Sequence, residues 1–311
     1  MIIKKYEPED KIIWDDLISR SKNGTFLFYR DYMEYHSDRF EDHSLMVFKK
    51  NSLICVFPAN IEGETIYSHG GLTFGGFVMS YKVDTVFLLN IFKEALTYYK
   101  NIGISKLIYK VIPYIYHITP ASEDLYALFL HNSKLIRRDI SSAIDLREKV
   151  KFSEGRKYNI SKGKENNLYI GKSDNFIEFM ELERKLLKDK YDTNPIHTNS
   201  EMEMLAKRFP ENIKLFTAKR GADLVAGTII YESQNVAHAQ YIASTEEGKR
   251  LYAQDILLDF LIKDYYKNKR YFDFGISSEN NGKYLNEGLI KYKERFGASG
   301  VVYDFYEIDL H

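Results

Sequence analysis

The sequence predicts a mixed α/β (α+β) protein of two tandem domains, residues 1–148 and 149–311. Three observations carry that expectation. A chain of 311 residues suits two domains at roughly 100–200 residues each. Strand-like runs alternate with amphipathic stretches along its whole length. The order of these elements in the first half returns in the second, although the halves do not align by identity.

The first half opens with a strand at MIIKKY, a helix at KIIWDDLIS and an aromatic-rich helical stretch, FLFYRDYMEYHSDRF. Three runs, HSLMVFKK, LICVFPANIEG and ETIYSHGGL, are separated by short Asn-Ser and Gly-Glu punctuation and predict an antiparallel meander. In the next helix, Leu88, Ile91, Phe92, Ala95, Leu96 and Tyr99 fall on one stripe, and Asn101-Ile102-Gly103 supplies a left-handed stop. A strand KLIYKVIP, a short helix near EDLYALFLHN and a strand RDISSAIDL close the half.

After a basic connector, a helix is expected from about Asp174 to Lys190, and a second from Ser200, with Glu203 completing a capping box. The strands IKLFTAKR, DLVAGTIIYES and NVAHAQYIAS form the second meander, and the helix QDILLDFLIKDYYK puts Ile256, Leu257, Phe260 and Leu261 on one face. A strand RYFDFGI, a short helix around Tyr284 to Leu289 and a strand GVVYDFYEI complete the chain. Each half thus predicts a mostly antiparallel sheet flanked by helices.

Composition narrows the function. Lys plus Arg and Asp plus Glu both number 44, so no global field draws the chain to DNA or anionic lipid, and any anionic partner must meet a local patch. Cys55 is the lone cysteine, and the first residues, MIIKKYEPEDKIIW, carry charges where a signal peptide needs an apolar run. Runs such as VFLLNIF fall far short of the ~20 residues that span a bilayer. The expectation is a cytoplasmic protein without integral membrane contact.

The element order, with a long helix after the fourth strand and a further strand behind it, resembles the acyltransferase fold of the Gcn5-related N-acetyltransferase (GNAT) superfamily. Its doubling resembles the Fem-type family of tandem-domain acyl and aminoacyl transferases. The segment FDFGISSENNGKYLNEGLIKYKERFG, residues 272–297, is similar to a Fem-type signature in which Asp-Phe-Gly is followed, past a short helix, by an aromatic-Lys-x-x-Phe-Gly run, here Tyr292 to Gly297. Pro195, His197, Phe209-Pro210 and His238-Ala239-Gln240-Tyr241 resemble a subgroup found in envelope and polysaccharide gene neighbourhoods. The resemblance implies an acyl- or aminoacyltransferase acting on an amine of an envelope or polysaccharide precursor, with acyl-CoA (acetyl-CoA) or aminoacyl-tRNA as donor. Two departures stand out. Where superfamily members carry Gln/Arg-x-x-Gly-x-Gly/Ala for the pyrophosphate, this chain reads STEEGKRLYAQDIL, with Gly248 and Ala253 at another spacing. No stretch sustains heptads for a coiled-coil insertion.

Acyl transfer to an amine needs a base for the ammonium proton, a donor for the developing oxyanion and protonation of the leaving group. The catalytic candidates are His238, Asp273, Glu279 and Lys293. His238 lies on the strand before the long helix, and its ordinary pKa of about 6.5 suits proton transfer at neutrality. A hydrogen-bonded core histidine is the competing reading. Alternation puts His238 and Gln240 on one face and Tyr241 on the other. Asp273, a carboxylate inside an aromatic strand, needs a partner; it accepts from the substrate amine, orients a base, or caps the polar loop after the strand. Glu279 sits in that loop, where it is the alternative general base to His238. The resemblance implies that Lys293 stabilises negative charge on the reacting carbonyl or on a phosphate.

Substrate-binding candidates are His69, Arg156, Lys157, His197, Gln240, Tyr241, Ser277 and Asn286. The glycine cluster SHGGLTFGG around His69 permits close approach of a ligand or another backbone; a β-bulge and domain–domain packing compete with the ligand reading, and domain–domain packing is favoured. Arg156 and Lys157 belong to the connector 147–166, whose seven basic residues against three glutamates give +4, a grip for phosphate or a tRNA stem, or a solvated linker. No metal is expected, since no His, Cys or acidic pair shows ligand spacing. No Ser or Cys lies in a nucleophile motif, so the predicted chemistry is direct attack in a ternary complex. The alternatives are a non-catalytic binding protein of the same fold and a tRNA-dependent aminoacyltransferase.

Overall fold

The computed structural model describes all 311 residues apart from the side chain of Tyr191. The chain divides into two compact units: Met1–Ile140 with Ser278–Tyr284 and Val302–His311, and Ser141–Ser277 with Leu285–Val301. This division differs from a single cut at residue 148. Two long strands, Lys134–Asp145 and Ser299–Asp309, each begin in one unit and end in the other.

The first unit holds β1 (Ile2–Lys5), α1 (Lys11–Ser19), α2 (Arg30–Met33), β2 (Glu41–Asp42), β3 (Leu45–Lys49), β4 (Ser52–Phe57), β5 (Asn60–Glu62), β6 (Thr65–Tyr67), β7 (Val78–Met79), α3 (Thr85–Asn101), β8 (Lys106–Lys110), α4 (Glu123–Leu130) and the start of β9 (Lys134–Asp145). The expected meander is cut at Pro58. Strands β1, β3, β4 and β7 make one antiparallel sheet, whereas β5 turns away to pair with β6 and β2. Proline has no N–H for a ladder, which makes it a natural breakpoint. The stripe of α3 is buried as its spacing predicts, and joins Leu45, Val47, Phe57, Phe77 and Tyr109 in one core. The aromatic stretch after α1 forms short 3-10 turns, Phe26–Phe28 and Glu34–His36, flanking α2.

The second unit holds α5 (Glu154–Lys164), β10 (Tyr169–Ser173), α6 (Phe176–Tyr191), α7 (Asn199–Arg208), β11 (Ile213–Arg220), β12 (Asp223–Glu232), β13 (Val236–Ser244), α8 (Glu246–Arg250), α9 (Ala253–Phe260), β14 (Tyr271–Ile276), α10 (Glu287–Glu294) and the start of β17 (Ser299–Asp309); the strand β15 (Ser278–Glu279) of the first unit pairs with β16 (Tyr284–Leu285) at the unit boundary. Strands β10 to β13 are antiparallel, β14 joins parallel to β13, and residues 141–145 of β9 flank β14. Odd residues of β12 face α6, where Gly227 lies under the Phe179 ring, and even ones face α9, where Thr228 accepts from Gln254.

Three expectations shift here. The connector is not a free linker: α5 lies within it, capped by Ser153, and β10 follows. Helix α7 starts two residues early, because Thr198 and Glu201 form the capping box instead of Ser200 and Glu203. The short helix before the last strand is α10, and Tyr284–Leu285 is extended.

Candidate active site

Strands β13 and β14 pair over three residues only, Val236↔Tyr271, Ala237↔Phe272 and His238↔Asp273. Beyond that point β13 stays with β12 and β14 continues to Ile276, so the ladder opens at a histidine facing an aspartate. A lone carboxylate in an aromatic strand is expensive to bury. Asp273 is fully buried and accepts three hydrogen bonds: His238 Nδ1 at 2.8 Å, Ser141 Oγ at 2.5 Å and the Gly275 amide at 3.2 Å. A carboxylate on Nδ1 leaves Nε2 as the imidazole's second functional nitrogen. Gly275 has φ +76°, and a Cβ there would stand 3.3 Å from His238 Cε1. Glycine supplies both the left-handed turn and the space beside the ring.

Lys293, on α10, is buried with its ammonium donating to the Gly275 and Ile276 carbonyls at 2.8 and 2.7 Å. Burial pushes its pKa down to about 8, against the opposite pull of Asp273. The ammonium thus fixes the end of β14 that carries the dyad.

A β-bulge changes which side chains share a face. Tyr231 pairs with His238, Ile230 with Ala239 and Ile229 with Tyr241, so Gln240 is the extra residue. One extra residue reverses the alternation beyond it. Tyr241 therefore shares a face with His238, and the expected pairing of His238 with Gln240 on one face is corrected. On that face the Tyr241 hydroxyl meets His197 Nδ1 at 2.7 Å, and the His197 ring lies 6.4 Å from that of Tyr231.

The other candidates scatter. Arg156 faces inward, paired with Asp255 and set over the Phe296 and Tyr292 rings at 3.9 and 4.5 Å, a packing role instead of a phosphate grip. Lys157 is exposed and pairs with Glu154. Asn286 caps α10 by accepting from the Leu289 amide, and the Ser277 hydroxyl is buried without a hydrogen-bond partner among the described residues. Glu279 is exposed on β15, in the first unit, as is His69. His69 is buried at φ +61°, stacked 5.4 Å from His36, and burial holds its pKa well below the usual imidazole range. Around Gly248 the loop is filled: its amide donates to Thr245 Oγ1, and a Cβ would stand 2.0 Å from the Val225 carbonyl oxygen. Two residues escape sequence reasoning. Ser141, which completes the aspartate's shell, carries no local signal. Glu183 does carry one, since it replaces an apolar residue on the inward stripe of Phe176, Phe179 and Met180.

Residues 157–294, which contain the dyad and Lys293, match the family model described as an acetyltransferase (GNAT) domain. Across nearly its whole length the chain superposes on a solved structure of FemX, with TM-score 0.69 and 12% identity, covering 98% of this chain and 97% of that one. The chain thus contains a GNAT domain and shares its fold with FemX. With its acetyltransferase domain it is a transferase. A second similar structure is the L-PGS from Bacillus licheniformis, with TM-score 0.63, 12% identity and coverage of 100% and 94%. A tandem GNAT protein from the clavulanic acid biosynthesis pathway superposes with TM-score 0.52, 11% identity and coverage of 100% and 98%. No curated protein matches the sequence. No helix among the described residues is long and apolar enough to cross a membrane, and no group of three or more His, Cys, Asp or Glu side chains among them is placed to hold a metal ion.

Proposed function

We propose that the chain transfers an acyl or aminoacyl group to an amine of an envelope or polysaccharide precursor, with the chemistry in its second unit. The observation that carries this reading is the His238–Asp273 pair at the opening between β13 and β14. In a ternary complex the amine nitrogen attacks the donor carbonyl carbon and the N–C bond forms. Nε2 of His238 takes the nitrogen's proton. The bond from the carbonyl carbon to the leaving sulfur or oxygen breaks, and that atom departs with the electron pair and takes the proton back from the His238 imidazolium. Asp273 holds the imidazole and balances the imidazolium, Ser141 and the Gly275 amide hold Asp273, and Lys293 holds the strand end in place.

The donor is an acyl-CoA or an aminoacyl-tRNA. Glu246 and Glu247 open α8, and the Gly248 amide is engaged, which weighs against seating a CoA pyrophosphate there in the usual way. The same filled loop favours, as a second reading, a binding protein that retains the fold. Mass-spectrometric transfer assays with acetyl-CoA, and then charged tRNA, against a panel of amine-bearing envelope precursors separate the two. Product that disappears in Asp273→Asn supports transfer. Precursor binding with no product from either donor class supports the second reading.

A further inference from the structure

Glu183 lies on α6 opposite β13, more than nine-tenths buried, and no hydrogen bond or ion pair among the described residues reaches its carboxylate. Buried carboxylates without partners are costly, and one kept at an inward position calls for a missing partner. Its neighbourhood is polar. Tyr241 of β13, whose hydroxyl meets His197 Nδ1 at 2.7 Å, is near enough for the Glu183 and Glu201 charges to act on it. The bulge at Gln240 puts Tyr241 on the face that carries His238.

We propose that Glu183, with the Tyr241 hydroxyl beside it, forms a subsite for a primary ammonium group, next to the His238–Asp273 pair. This rests on the transferase reading above. The ligand chemistry is a cationic –NH3+, carried either by the acceptor amine or as the α-ammonium of an aminoacyl donor. An ammonium brings three donors and a positive charge, which meets what the site lacks. In its absence burial pushes the carboxyl pKa up to about 7, so the empty subsite relieves its desolvation by taking a proton. Tyr241, pushed up to about 12 mainly by burial, stays a neutral hydroxyl, its oxygen already accepting from the His197 amide and the Gln240 side chain, so the ammonium's charge is met by Glu183.

The test is calorimetric titration of the full chain with n-butylammonium chloride and with glycinamide hydrochloride, using n-butanol as the uncharged control. The subsite predicts saturable binding of at least one ammonium, no binding of the alcohol, and affinity at least tenfold weaker in Glu183→Gln, with a smaller loss in Tyr241→Phe. Preference for glycinamide assigns the subsite to an aminoacyl donor, and preference for n-butylammonium to the acceptor. No saturable binding, equal binding of n-butanol, or an unchanged affinity in Glu183→Gln overturns it. Near-UV circular dichroism and the melting temperature of Glu183→Gln verify folding, and carboxyl 13C resonances perturbed by ammonium in wild type but not in that variant give a second readout. Ammonium bound through Glu183 without any transfer leaves the subsite standing and sinks the transferase reading; transfer indifferent to Glu183→Gln does the reverse.

Discussion

Each unit contains one pair of parallel strands that part after three residues, and the two openings are treated differently. In the first unit β6 and β8 pair over Thr65↔Lys106, Ile66↔Leu107 and Tyr67↔Ile108. Past Tyr67 the opening is filled by the chain itself. The Ser68 hydroxyl accepts from the Lys110 amide at 2.7 Å, and the Lys110 ammonium donates to the His69, Gly70 and Leu72 carbonyls at 2.9, 3.1 and 2.6 Å. A Cβ on Gly75 would stand 2.0 Å from the Ser68 carbonyl oxygen. In the second unit the corresponding position carries His238, Asp273 and the Gly275 turn, with Lys293 bonding two carbonyls as Lys110 bonds three. A buried lysine fixing backbone carbonyls is thus common to both units, whereas the histidine–carboxylate dyad is confined to one. The glycine cluster of the first half packs against residues of its own unit, Phe40, His36, Ser68 and Tyr109 among them, where packing between domains was expected.

The comparison is broken most directly at the dyad. Replacing His238 by Gln or Asp273 by Asn removes the base or its orienter, so turnover in the transfer assay should fall ~100- to 10,000-fold, while His69→Gln in the other unit leaves turnover of the folded protein within about threefold. A comparable loss from His69→Gln would mean that both openings act.

Gly75→Ala tests whether the first opening is a closed one. The added methyl collides with backbone, and overpacking of this kind costs about 1–3 kcal/mol, read as a lowered urea midpoint. No loss would mean that the loop has room.

The lysines sharpen the comparison through pH. Burial lowers Lys110 to about 7, so between that value and the ordinary 10.5 the unfolded chain binds a proton that the folded chain does not. Stability rises with pH wherever the unfolded state binds more protons. Wild type should therefore gain stability relative to Lys110→Met from about pH 7 to 10, and relative to Lys293→Met over a window starting near 8. Parallel urea series at pH 7 and 9.5 check the sign; a wild-type advantage that shrinks on raising the pH contradicts it.

The smallest effect belongs to the connector. Lys157 is exposed and, among the described residues, pairs with Glu154, so Lys157→Ala should change stability by less than about 0.5 kcal/mol and leave the salt dependence of precursor binding unaltered.

The sequence made the element order legible because periodicity survives burial. The stripe of α3 and the longer strands of both halves came from spacing alone, whereas β10 and the two-residue strands β2 and β7 did not. Breaks that depend on partners were less visible. Pro58 divides a meander between two sheets, and the bulge at Gln240 turns Tyr241 to the other face. Asp273 and His238 could be singled out separately by cost and chemistry, but their pairing depends on a parallel register between strands with a helix between them. Ser141, more than 130 residues away in sequence from Asp273, was beyond local reading. Arg156 shows the converse, since a basic run suggests phosphate while packing on Phe296 and Asp255 determines its place.

Acyl transfer is expected to occur at the His238–Asp273 pair. The most direct test compares single-turnover transfer, from acetyl-CoA and from charged tRNA, in wild type and Asp273→Asn at matched melting temperature. Transfer there predicts product from at least one donor in wild type and a rate at least 100-fold lower in the variant, the low end of the general-base range. Equal rates would contradict it.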